Sequence, residues 1–124
     1  VNVSEIRGQL ADALRGADLE VAENRQTVVL GFPAAIINLD SMLADSFVDG
    51  SFSMQFTVTV LVSKADSEDG WHKLDDLLSA NTVADVLREA ECVATVGAYD
   101  NIGDDVAYDG GVALGFTIAV EVLA

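Results

Sequence analysis

From Phe52 to Ser63 the side chains alternate without a break. Phe52, Met54, Phe56, Val58, Val60 and Val62 fall on one side, and Ser53, Gln55, Thr57, Thr59, Leu61 and Ser63 on the other. Successive side chains of an extended chain point to opposite faces, so this pattern predicts a strand covered on one face only. One-sided burial belongs to antiparallel sheets, whereas strands of parallel sheets are apolar on both faces. At roughly eleven residues it is about twice the usual strand length, which suits a hairpin reaching past the domain body. The C-terminal stretch repeats the theme. Val112, Leu114, Phe116, Ile118, Val120 and Val122 point inward, and Ala113, Gly115, Thr117, Ala119, Glu121 and Leu123 point the other way.

Helical signals surround these strands. Ile6, Leu10 and Leu14 recur every fourth residue over 2–15, with Asn2 and Glu5 placed as a capping box and Gly16 as the stop. Asp66 or Ser67 is placed to cap a second helix carrying Trp71, Leu74 and Leu78. Thr82 and Asp85 open a third with Val83, Val86, Leu87 and Ala90. Residues 17–26 read as a loop or short edge segment, and Pro33 precedes a strand over 34–39. Residues 40–51 read as a connection ending in Asp49-Gly50, 91–99 as a strand, and 100–111 as an acidic hairpin loop. The expectation is one α+β domain over 1–124. Its two layers are an antiparallel four-stranded sheet, in the order α-β-β-α-β-β, with helices on one face. Phe56, Val58, Trp71, Leu74, Phe116 and Ile118 are expected in the core.

Composition narrows the function classes. Half of the 124 residues (51%) are apolar, enough for a core and unlike a disordered chain. The longest apolar stretch, Phe32 to Ile37, is far short of the ~20 residues that span a membrane. No basic and apolar leader is evident, so no membrane association or secretion is expected. Twenty-one acidic residues against six basic ones give a formal net charge of −15. Such a chain is not expected to hold nucleic acid, whose phosphates are bound by Lys and Arg.

Catalytic signals are weak. His72 is the lone histidine, with Asp76 one turn on; a surface contact suits it better than an acid–base pair. Cys92 is the lone cysteine, without a cationic neighbour, and reads as a small apolar residue. The serines lack a nucleophile elbow, and Gly110-Gly111 lacks the lysine and helix of a phosphate loop. Asp100, Asp104, Asp105 and Asp109 do not follow the spacing of a calcium loop. No enzyme activity, metal or cofactor is expected.

The layout as a whole resembles a known family. The segments that carry the likeness are PAAIINLDS, then FTVTVLVSKADSEDGWHKLDDLLS, TVADVLREA, CVATVGAYDNIG and the terminal GFTIAVEVLA. Together they are similar to the tail terminator proteins of long-tailed bacteriophages, including phages of actinobacteria. The likeness spans nearly the whole chain and is one of scaffold, with Ser41 to Ser51 resembling an insertion. It implies a non-enzymatic virion protein at the head-proximal end of the tail, assembled in the host cytoplasm. Such proteins form a ring, commonly of six subunits, that caps the tail tube, stops its growth and joins it to the head. The partners implied are copies of the chain, the tail tube protein and the head–tail connector, with genomic DNA passing through unbound. The chain's acidity suits such a channel. Asp45, Asp49, Asp100, Asp104, Asp105 and Asp109, on turns and loops, are the acids expected to line it or an interface. The rival readings are a connector or head-completion protein at the same junction, a tube subunit, or a cellular small-molecule-binding module.

Overall fold

The computed structural model describes residues 3–22, 32–42, 53–64, 68–108 and 111–123. Three helices, α1 (Val3–Arg15), α2 (Glu68–Ala80) and α3 (Thr82–Glu89), accompany five strands: β1 (Glu20–Ala22), β2 (Ala34–Met42), β3 (Ser53–Lys64), β4 (Val93–Tyr108) and β5 (Gly111–Leu123). The strands form one sheet in the order β1-β2-β3-β5-β4. The α+β class is as the sequence implies. The sheet, however, is mixed and five-stranded, because β1 adds to β2 in parallel. Three residues are too few to show an alternation, which is why 17–26 read only as a loop or short edge segment; Glu20–Ala22 is such an edge strand.

β3 is the centre of the sheet, paired antiparallel with both β2 and β5. Of its predicted inward row, Met54, Phe56, Val58, Val60 and Val62 are buried, and Phe52 lies outside the described residues. In the facing row of β5, Leu114, Phe116, Ile118, Val120 and Val122 are buried too, but Val112, expected inward, is 55% exposed near the strand's start. The buried residues of both rows meet Ile6, Leu10 and Leu14 of α1, Leu74 of α2 and Val83 and Leu87 of α3 in one core. All three helices therefore cover one face. Beyond Leu61 the register with β5 shifts, so that Ser63 lies opposite Leu114. This bulge brings the Val60 carbonyl over Gly115, where a Cβ would lie 1.9 Å from the oxygen. Only glycine fits there.

The expected caps Asn2 of α1 and Asp66 or Ser67 of α2 lie outside the described residues. α1 ends at Arg15, with Gly16 at the stop expected of it. Gly16 donates to the Asp12 and Ala13 carbonyls, and in the turn that follows Asp18 takes the left-handed conformation (φ 62). An aspartate tolerates that region better than most side chains. α3 is preceded by Asn81, also left-handed (φ 56), and not by a Thr82–Asp85 box. Its orphan Ala84 N–H donates to the Tyr99 hydroxyl of β4 (3.3 Å), and that hydroxyl donates to Asn81 Oδ1 (2.7 Å). The Tyr99 ring meets Phe116 edge to face, so one side chain ties the third helix to the sheet.

Trp71 corrects the predicted core: it is 42% exposed. α2 touches the sheet through Gly70 and Leu74, and a Cβ on Gly70 would lie 1.9 Å from Ser63 Oγ. The glycine lets the helix sit close on the sheet, which centres its contact on Gly70 and Leu74 and leaves Trp71 on a flank.

The largest difference concerns 100–111. Asp109 and Gly110 lie outside the described residues, and residues 100–108 are not a hairpin loop, since β4 runs through to Tyr108. Its register with β5 shifts four times, and Asn101 is left-handed (φ 51). Each shift places extra residues on the bulged strand and increases its twist. The interrupted alternation and the Asp and Gly content disguised a strand as a turn.

Candidate interaction surface

The face of the sheet away from the helices is the distinctive surface. Its middle carries a hydrogen-bonded ladder of polar side chains. Gln55 Nε2 donates to Glu121 Oε2 across β3 and β5 (3.1 Å). Asn38 Nδ2 donates to Asp40 Oδ1 (2.9 Å), and the Thr57 hydroxyl donates to the other oxygen of the same carboxylate. On β4, Asn101 Nδ2 donates to Thr117 Oγ1 (3.0 Å), and that hydroxyl donates to the Asp100 carbonyl (3.3 Å). The alternation of β2 and β3 put Asn38 and Thr57 on strand faces, but only the register brings them opposite one another.

One end of this face is apolar. Ala22, Ile36, Leu61, Val106 and Ala113 form a second small core with Phe32 beside it. Two residues expected on the open face are therefore not available to a neighbour: Ala113 is fully buried within the chain, and Ser63 turns toward Gly70. Thr57, Thr59, Gly115 and Thr117 keep their expected side, with Thr57, Thr59 and Thr117 partly accessible and Gly115 buried beneath the Val60 carbonyl.

Of the six acids singled out from the sequence, Asp100, Asp104 and Asp105 are exposed on β4, while Asp45, Asp49 and Asp109 lie outside the described residues. Asp105 shares a polar cleft of about 400 Å³ with Thr59, Asn101, Ile102 and Thr117, between β4 and the ladder. Asp40 and Glu121 extend the acidic character inward. The segments that build this face (36–42, 53–61, 93–107 and 115–123) contain no Lys or Arg.

The remaining candidates offer little chemistry. His72 is exposed on α2, as is Asp76. Among the described residues no group of three or more His, Cys, Asp or Glu is placed to hold a metal ion. Cys92 is half-buried just ahead of β4, and partial desolvation pushes its thiol pKa up, which keeps it protonated and a poor nucleophile. No helix among the described residues is long and apolar enough to cross a membrane. No family model matches the chain, and no curated protein matches it.

Proposed function

We propose that the chain is a phage tail terminator: a structural subunit whose ring caps the tail tube, ends its polymerisation and joins tail to head. The observation that carries this reading is the division of the sheet. Helices and core occupy one face, and the other presents an acidic, hydroxyl- and amide-rich surface, with no Lys or Arg in 36–42, 53–61, 93–107 or 115–123. A ring of six copies would carry about −90 formal charges. Turned toward a channel, this face would repel DNA phosphates, so the genome passes without the Lys and Arg contacts that cause sticking. Asp100, Asp104 and Asp105 are the described acids assigned to that lining, and Asp45, Asp49 and Asp109 are assigned with them. The long β4–β5 hairpin supplies the reach toward a neighbouring subunit or the tube.

Electron microscopy of purified tail tubes mixed with the protein tests the reading. One ring at one end of each tube, with growth halted, is the expected result. Filaments made by the protein itself would identify a tube subunit instead. Binding to the head vertex but never to tubes would identify a connector. A protein that ignores both would return the chain to the class of cellular binding modules.

A further inference from the structure

Two of the register shifts along β4 build the polar cleft. Asp100 lies opposite Thr117, Gly103 opposite Gly115 and Val106 opposite Ala113, so each of these two intervals holds one more residue on β4 than on β5. A bulge of this kind re-aims the side chains it contains. The first interval holds Asn101 and Ile102, the second Asp104 and Asp105. Asn101, Ile102 and Asp105 line the cleft of about 400 Å³, over Thr59 and Thr117 and beside Val106 and Ala107. A Cβ on Gly103 would lie 3.3 Å from Asp105 Oδ1, so the glycine gives that carboxylate room.

The hydrogen bonds already made there determine which groups remain. Asn101 Nδ2 donates to Thr117 Oγ1 (3.0 Å), and that hydroxyl gives its own proton to the Asp100 carbonyl (3.3 Å). Asp105 and the Thr59 hydroxyl make no side-chain hydrogen bond or ion pair among the described residues. The capacity left over is dominated by acceptors: the Asp105 carboxylate, Asn101 Oδ1 and the lone pairs of the two threonines. The left-handed backbone of Asn101 (φ 51) and its bond to Thr117 hold the amide in place. Ile102, 51% exposed, and the buried Val106 add an apolar wall.

Charge selects what fits. Asp105 is the one charged group among the described lining residues, and Asp100 and Asp104 are exposed on the same strand. Along β3 the first basic residue is Lys64, beyond the bulge, and none occurs in 93–107 or 115–123. The counter-charge must therefore come from outside this face. A metal ion is poorly served by a single carboxylate, whereas an organic cation can give its N–H groups to the acceptors and lay its methylenes on Ile102 and Val106, as basic side chains do on apolar surface. We propose that the cleft binds an alkylammonium or guanidinium group carried on a short apolar stem. Asp105 supplies the charge, and Asn101 Oδ1 and the threonine hydroxyls take the remaining N–H donors. The volume falls within the about 300–1,000 Å³ of small-ligand sites. The site lies within one chain and does not rest on the tail reading above.

The test is an amide NMR titration with butylammonium at physiological salt, with n-butanol as its neutral counterpart. Saturable shifts centred on Thr59, Asn101, Ile102, Ala107 and Thr117 are expected with the amine and not with the alcohol. Asp105→Asn should weaken binding about tenfold or more, whereas Asp104→Asn, which removes the same charge just outside the cleft, should change it by less than about twofold. Both positions are exposed, and the amide spectra should show both variants folded. Asn101→Gly keeps a residue suited to the left-handed backbone while removing the amide, and should weaken binding several-fold. The lysine and arginine side chains, offered as their N-acetyl N-methylamides, form a second arm: tighter binding than butylammonium identifies a basic side chain of a partner as the source, and weaker binding a free amine. Shifts that never saturate and spread over all the exposed acids would overturn the site. So would equal losses from Asp104→Asn and Asp105→Asn, or n-butanol binding as well as the amine.

Discussion

The two faces of the sheet are built by the same strands and obey different physics. On the helix side Phe56, Val58, Phe116 and Ile118 are fully buried, and each is held by close contact with side chains from several elements. On the other side Gln55, Thr57, Asn101 and Thr117 keep part of their surface and are held by hydrogen bonds to one another and to acids. A residue and its chain neighbour, Phe116 and Thr117, therefore do different work. The first face carries stability, because burial of apolar area is the dominant favourable contribution. The second is free to be chosen for charge and surface chemistry, because exchanging solvent-accessible polar groups costs little.

The contrast can be broken at four places. Phe116→Ala should destabilise by ~3–5 kcal/mol, whereas Thr117→Ala should cost less than ~1 kcal/mol. Chemical denaturation of both measures the asymmetry, and equal losses would refute the division of labour. Gly115→Ala comes next, because the new methyl would collide with the Val60 carbonyl at the bulge; a loss of about 1–3 kcal/mol is expected from overpacking. Tyr99→Phe removes the hydroxyl shared by Ala84 N–H and Asn81 while keeping the ring against Phe116. About 1 kcal/mol should be lost, with faster hydrogen exchange at the start of α3. The smallest effect concerns Cys92. Its folded pKa is raised, so the unfolded chain gives up this proton first as pH rises. Its contribution is therefore fully present below the ordinary thiol pKa and is lost as pH rises through the ordinary and then the raised value. The parent should lose slightly more stability than Cys92→Ala over that window.

Much of the first face was legible in the sequence and much of the second was not. Alternation made the central stretches of β3 and β5 readable, failing at Val112, Ala113 and Ser63 near the bulge, and the every-fourth-residue spacing of Ile6, Leu10 and Leu14 did the same for α1. Trp71 was misplaced because helical spacing gives an apolar stripe but not its centre; Gly70, contributing no apolar signal, decides where α2 touches. β4 was shortened because four register shifts and a left-handed Asn101 erase the alternation that marks a strand. Of the candidate acids, Asp100, Asp104 and Asp105 were found by charge, yet their strand placement was not. Asp40 and Glu121 went unremarked as site residues, because their relation to Thr57 and Gln55 exists only in the cross-strand register. The Tyr99–Asn81 link was invisible for the same reason: it joins positions on different elements that no local pattern connects.

Under the proposed tail-terminator reading, the division of the two faces would bear on the passage of DNA. Asp100, Asp104 and Asp105 are exposed, and among the described contacts only Asp100 takes part: its carboxylate accepts from the Asn101 N–H, and its backbone carbonyl, which any residue keeps, accepts from the Thr117 hydroxyl of β5. Their joint reversal to Lys should therefore leave the fold and the ring intact. It would also turn a repelling surface into one that holds phosphates, a contact strongest at low salt. The measurement is the rate of DNA ejection from virions assembled with this triple variant, at low and at physiological salt. Slowed or stalled ejection, most marked at low salt, is the predicted result; assembled virions that eject at the parental rate in both would contradict the assignment of the acidic face to the channel.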